Sequence, residues 1–155
     1  MELIEFAKTE DRIFDFNRFI PYPEEWKEGG KIYDEWWDNY NRLPDEEKAL
    51  FALFTPEPKN YYNDFGYDWC YKFWNSKWNS LESRVDHNSR RTLFCFDTAW
   101  SPPKPVILKM SEIFSDLNCK LKYWECGAAF KGSYECENGK VILDKSSNYR
   151  GNRGG

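Results

Sequence analysis

A single histidine, His87, is all this chain offers to imidazole chemistry. It stands in the polar stretch VDHNSRR beside Asp86. A Ser-His-Asp or Cys-His pair needs a positioned nucleophile, and nothing nearby marks one. The five cysteines (Cys70, Cys95, Cys119, Cys126 and Cys136) are odd in number, and no two are spaced as CxxC. Zinc-site spacing and a disulfide framework are therefore missing, and the thiols read as small buried apolar groups in a reducing compartment. No glycine-rich loop precedes a helical pattern, so there is no phosphate cradle. No apolar run reaches the length of a membrane span, and MELIEFAKTE has no signal-peptide pattern. Charge of one sign is not in excess either: 22 basic against 26 acidic residues leave a net −4. That is too little for a nucleic-acid mimic and the wrong sign for a general nucleic-acid binder. What remains is a protein expected to bind and not to catalyse, with no catalytic residue, metal or cofactor to name.

Aromatic residues are what is abundant. They make up 19% of the 155 residues, with eight tryptophans. The stretch YDWCYKFWNSKWNS, residues 67–80, holds three tryptophans, two tyrosines and a phenylalanine. A chain of this length is most simply one domain and is long enough to bury a core without staples. Rings would build much of that core, provided tryptophan N–H and tyrosine O–H groups find acceptors. With 31% charged residues and a mean hydropathy of −0.85, the composition is that of a soluble protein.

Periodicity places the elements. ELIEFAKTE reads as a short helix, and Pro21 and Pro23 enforce extended backbone after it. Gly29 and Gly30 are expected to break the chain. Tyr33, Trp36, Trp37 and Tyr40 then fall on one helical face. Pro44 ends that helix, and Asp45 can cap a second one whose apolar side is Ala49, Leu50, Leu53 and Phe54. The two helices read as an insertion at about 27–60. Trp69, Cys70, Phe73 and Trp74 form another helical face, with Asn75 suited to a left-handed C-terminal cap. From Leu81 the period changes to two. A half-buried strand, the polar turn DHNSRR and the strand TLFCFDTAW follow, the last apolar on both faces and so expected to be central. SPPKP turns into a helix striped by Val106, Ile107, Met110, Ile113, Phe114 and Leu117. CKLKYWECG is a strand, and AFKGSYECENGKVIL is a hairpin turning at Asn138-Gly139. The order predicts an α+β layer, an antiparallel sheet with helices on one face, over residues 1–145. The tail 146–155 has little to bury and is expected to be disordered.

Three stretches, DFNRFIPYPEEW, DWCYKFWNSKWNS and FCFDTAWSPPKPVILKMSEIF with the following LKYWECGAAFKG and ENGKV, occur together and in order. With them the chain resembles the YubB-like, ferredoxin-like domain family of plasmids, phages and mobile islands. The resemblance implies a split βαβ, ferredoxin-like fold and a bacterial cytoplasmic setting, but no activity. It covers most of the chain outside 27–60 and the tail. Family members place glycine and threonine where this chain has Asn75 and Ser76, an exchange that preserves the turn. They also open with a strand before the first helix, and this chain starts inside that helix. An uncovered strand edge invites pairing, so a homodimer or a partner's strand is a natural completion.

Two surfaces are candidates. Trp69, Trp74, Lys77, Trp78 and Trp100, with Asp97 interrupting its apolar strand, could form a cleft that stacks a nucleotide-like ligand. The competing reading is a core plug, which the helical spacing of the rings favours. Asp97 reads as a buried carboxylate capping the turn Thr98–Ser101. Tyr33, Glu35, Trp36, Trp37 and Asp38 interleave rings with acids and suit a basic protein surface. A host protein is the expected partner, with counter-defence as the role. Glu125 is the remaining candidate acid, and an enzyme would need it to converge with Asp97 and His87. Arg84, Arg90 and Arg91 read as a solvated basic turn, and Arg150 and Arg153 as too few for an RNA-binding tail.

Overall fold

The computed structural model describes residues 2–151. Its contacts divide the chain into two compact units. One comprises Tyr22–Trp69, and the other the segments on either side of it.

In the flanking unit, α1 (Glu2–Ala7) and a 3-10 turn (Phe16–Arg18) precede α4 (Tyr67–Trp74), which begins in the inserted unit. The hairpin β1 (Leu81–His87) and β2 (Thr92–Asp97), the helix α5 (Lys104–Ile113), and the strands β3 (Asn118–Glu125), β4 (Phe130–Glu137) and β5 (Lys140–Asn148) follow. All strand pairs are antiparallel. The element order and mixed composition make this an α+β fold, as the periodicity predicts. Val106, Ile107 and Met110 are buried on one side of α5, which packs on β3, β4 and β5. Cys119 of β3 and its cross-strand neighbour Cys136 of β4 are buried as well. The hairpin joining β4 to β5 turns through Asn138 at φ 47° and Gly139 at φ 68°. Both are left-handed, the geometry that an Asn-Gly pair supplies at least cost.

The strands form two ladders, β1-β2 and β3-β4-β5, and not the single sheet expected. Among the described residues no strand precedes α4, so β2, read as central, has β1 as its partner and an open second edge. The N-terminal segment covers a face of this hairpin and does not extend it. The Phe14 ring stacks on Phe96 with centroids 4.8 Å apart and planes at 8°, and lies 4.8 Å from Phe94. Side chains, not a ladder, attach the segment. Ser83 Oγ accepts from the Ile13 N–H at 3.0 Å, Asn79 Oδ1 accepts from the Phe16 N–H at 2.9 Å, and Ser80 Oγ donates to the Phe14 carbonyl. Asp15 is buried. Its carboxylate accepts from Asn79 Nδ2 at 2.7 Å and from the Asn17 N–H at 2.8 Å, so the buried acid is satisfied.

The inserted unit holds α2 (Glu24–Arg42), α3 (Asp45–Phe54) and a π-helical turn (Tyr62–Gly66). The expected insertion at 27–60 lies within it. Gly29 and Gly30 do not break the chain: α2 runs through both. Gly29 is buried against the Tyr61 ring, where a Cβ would collide, so the glycine serves ring packing and not a turn. Asp45 is the first residue of α3 and not its cap, since Pro44 holds the cap position. The Asp45 carboxylate instead pairs with Lys48 Nζ at 2.6 Å. Residues 146–148 also differ from expectation, because β4 pairs with them (Gly132 with Ser146, Lys131 with Ser147, Phe130 with Asn148). A strand edge needs backbone partners more than apolar side chains, so a polar sequence sufficed. Residues 152–155 lie outside the described residues.

Candidate functional site

The aromatic group around α4 separates into three kinds of residue. Trp74 is core. It is 3% exposed, meets Phe16 edge-on at 5.7 Å, and donates from Nε1 to the Ile20 carbonyl at 2.8 Å. Trp69 belongs to the inserted unit, where its ring meets Tyr22 edge-on at 5.3 Å. Trp78 and Trp100 are at the surface, 39% and 69% exposed. Trp74 therefore belongs to the core and lines no cleft. Helical spacing correctly marks Trp74 as core, but it carries no information on the two tryptophans beyond the helix.

The loops that carry those two are pinned together. Asn75 sits at φ 57°, the left-handed conformation that ends α4. Its Nδ2 donates to the Pro102 carbonyl at 2.8 Å, and its own carbonyl accepts from Ser101 Oγ at 2.6 Å. Ser76 is fully buried, and its Oγ donates to the Trp78 carbonyl at 2.8 Å. Thr98 Oγ1 closes the second loop onto the Ser101 carbonyl at 3.0 Å. Within that loop Trp100 adopts φ 67°, an uncommon conformation for a bulky residue that costs about 1–3 kcal/mol. Lys77 Nζ lies 5.2 Å from the Trp78 ring centroid. The result is two exposed tryptophans, one with a cation near its ring, on loops tied to each other by hydrogen bonds.

Asp97 is exposed, which corrects the expectation of a buried carboxylate. As the last residue of an edge strand it faces solvent, and Thr98 and Ser101 tie the following turn. His87 is the last residue of β1 and not a loop residue. Its Nδ1 is 2.8 Å from Thr92 Oγ1, across the ladder. Asp97 pairs with Leu81 at the far end of the same hairpin. Five strand residues, about 17 Å at 3.3 Å each, separate the two groups. Glu125 lies at the end of another ladder, β3, and caps its turn. Its carboxylate accepts from the Ala128 and Gly127 N–H groups, and these bonds hold its pKa below the ordinary carboxylate value. His87 and Asp97, at opposite ends of one hairpin, do not converge.

In the inserted unit, Trp36 and Trp37 are half-buried and already engaged. Trp36 stacks on Tyr40 with centroids 5.2 Å apart and planes at 10°, packs against Phe51, and donates from Nε1 to the Thr55 carbonyl at 2.7 Å. Trp37 meets Tyr33 and Tyr40 and donates to Glu57 at 3.1 Å. Glu35 and Asp38 are exposed. This face is the internal packing of the helical pair. What the periodicity missed lies on α3. Phe51 is the residue packed inward, and Leu50, Leu53 and Phe54, read as the apolar side, face solvent. Leu50 and Phe54, with Leu43, Glu47, Phe51 and Thr55, line a groove of ≈460 Å³.

The remaining residues fill smaller roles. Cys70 and Cys119 are buried, which pushes their thiols up to about 12. Arg90 and Arg91 donate backbone N–H groups to Asn88 Oδ1 in the β1-β2 turn, with Arg84 on β1. Arg153 lies outside the described residues. Among the described residues no group of acids, histidine and cysteines is arranged to hold a metal, and no helix is long and apolar enough to cross a membrane.

A helix, two strands, a helix and a strand (α4-β1-β2-α5-β3) follow the order of a split βαβ, ferredoxin-like protein without its leading strand. The model of the ferredoxin-like domain in Api92-like proteins matches residues 73–151, and the chain belongs to that family. The match contains Trp74, Lys77, Trp78, Asp97 and Trp100, and it excludes the inserted unit. No curated protein and no solved structure matches the chain.

Proposed function

We propose that this protein acts by binding another protein and not by catalysis, and that the contact surface is the outward side of α3. One observation carries the reading: Leu53 and Phe54 are 74% and 76% exposed on a helix with no buried residue. Contiguous apolar surface of this kind is characteristic of docking sites. Its rim is acidic, with Asp45, Glu46 and Glu47 in the first turn, so a partner with an apolar pocket and basic margin fits. The stretches that resemble the YubB-like family suggest a phage, plasmid or mobile-island protein in the bacterial cytoplasm. A host protein is then the partner, and inhibition of an antiviral defence component the role. The test compares the wild type with Leu53→Glu/Phe54→Glu as baits in bacterial lysate. A host protein retained by the wild type, lost by the variant, and re-forming a purified binary complex supports the reading. Equal retention by a correctly folded variant contradicts it.

A second reading, capture of a nucleotide-like ligand, is favoured by Trp100 and Trp78 on their pinned loops with Lys77 beside them. Stacking is worth about 1–3 kcal/mol per base. Tryptophan fluorescence should fall on nucleotide titration, and Trp100→Ala should weaken the response about fivefold or more. Quenching untouched by Trp100→Ala would dismiss this surface.

A further inference from the structure

The open edge of β2 has a built-in complement in itself. In the β1-β2 turn the Asn88 N–H donates to the Arg91 carbonyl at 3.0 Å, making that pair a hydrogen-bonded one. Hydrogen-bonded and non-bonded pairs alternate along an antiparallel ladder. The pairs Asp86 with Leu93 and Arg84 with Cys95 are thus bonded. The backbone groups of Thr92, Phe94 and Phe96 point the other way. Among the described residues no hydrogen bond reaches those outward groups, and no strand pairs with that edge. The strand is uncharged from Thr92 to Phe96, with Arg91 before it and Asp97 at its end, both exposed. It is apolar and open, a description that ordinarily marks an edge for pairing. Two strands alone are also marginal as a sheet.

We propose that β2 pairs antiparallel with β2 of a second copy of this chain about a two-fold axis at Phe94. In that register Phe94 faces Phe94 of the second copy, Thr92 faces Phe96, Leu93 faces Cys95, and Arg91 faces Asp97 at both ends. Every outward backbone group of Thr92, Phe94 and Phe96 then has a partner. Residues of equal parity face each other, so the Phe14-covered faces of the two hairpins lie on the same side. The charges choose the occupant and its direction. A strand positive at its start and negative at its end is self-complementary only when antiparallel, and a parallel pairing would set like charges together. The hairpins join into a four-stranded sheet, the closed isologous arrangement of a two-fold dimer. This dimer is independent of the α3 surface.

Sedimentation velocity over a concentration series, with the charge pair reversed, tests the proposal. The wild type should dimerise. Arg91→Asp and Asp97→Lys should each weaken dimerisation about tenfold, since one exchange turns both end pairs repulsive. The double variant should restore it. Both positions are exposed, so folding should persist, as circular dichroism would verify. Leu93→Cys supplies a second measurement. It sets a thiol opposite Cys95 of the other copy in a non-hydrogen-bonded pair, with Cα atoms about 4.5 Å apart and within disulfide reach. Under mild oxidation this variant should form a covalent dimer linked 93 to 95. A wild type that stays monomeric overturns the proposal. So does a dimer indifferent to both single charge exchanges, or a Leu93→Cys variant cross-linked through other positions. Capture of a foreign strand, with no self-association, would also overturn it.

Discussion

At the scale of residues, tryptophans that look alike in sequence divide by what surrounds them. Trp74 fills the core against Phe16 and holds the Ile20 carbonyl, so Trp74→Ala should cost about 3–5 kcal/mol. Trp100 is exposed and sits in a disfavoured conformation, so Trp100→Gly should leave stability unchanged or raise it by about 1 kcal/mol. Chemical denaturation separates the two outcomes. Glu125 offers a pH test. The Ala128 and Gly127 N–H groups favour its ionised form and set its folded pKa below the ordinary 4.5. The unfolded chain therefore binds the proton more readily. The contribution is complete above 4.5 and is lost as pH falls through the lower folded value. The protection of the Gly127 and Ala128 amides relative to intrinsic exchange should fall in that acid range, and Glu125→Gln should remove this pH dependence of the protection. Asn75 was legible, because only a few residue types tolerate the left-handed end of a helix. Asp97 was not, because burial of a carboxylate depends on which strands flank its own.

At the scale of elements, apolar spacing located all the longer helices, and period two located the strands. Its failures are instructive. Two adjacent glycines signal a break, yet Tyr61, more than thirty residues on, packs against Gly29 and keeps α2 continuous. Nothing lies within 4 Å of a Cβ built on Gly30. Gly30→Ala should thus stabilise the helix by about 0.5–1 kcal/mol, whereas Gly29→Ala should destabilise it by about 1–3 kcal/mol through overpacking. Thermal unfolding followed by circular dichroism reads both. On α3 the pattern found an apolar side but could not say that Phe51 would turn inward and Leu53 and Phe54 outward. A hydrophobic stripe states that a face is apolar, and the neighbouring element decides whether it is covered.

At the scale of the whole molecule, the inserted unit begins and ends at one place: the Tyr22 and Trp69 rings lie 5.3 Å apart. The family match to residues 73–151 lies wholly outside it. Replacing residues 23–66 with a short Gly/Ser linker should leave the flanking unit folded, with one cooperative unfolding transition. A linker variant without dispersed amide signals would show that the two units depend on each other.

The sequence by itself determined the α+β class, the helix and strand order from residue 67 onward, the Asn138-Gly139 turn and the left-handed cap at Asn75. Each rests on contacts a few residues apart, where backbone conformation and side-chain period are local properties. The tertiary structure alone decided that the strands form two ladders, that β2 is an edge, that Trp78 and Trp100 are exposed, and that His87 and Asp97 stand at opposite ends of one hairpin. Those outcomes depend on which distant surfaces meet. Phe14, far from β2 in the chain, covers its inner face without pairing to its edge, and no period in the sequence records that choice.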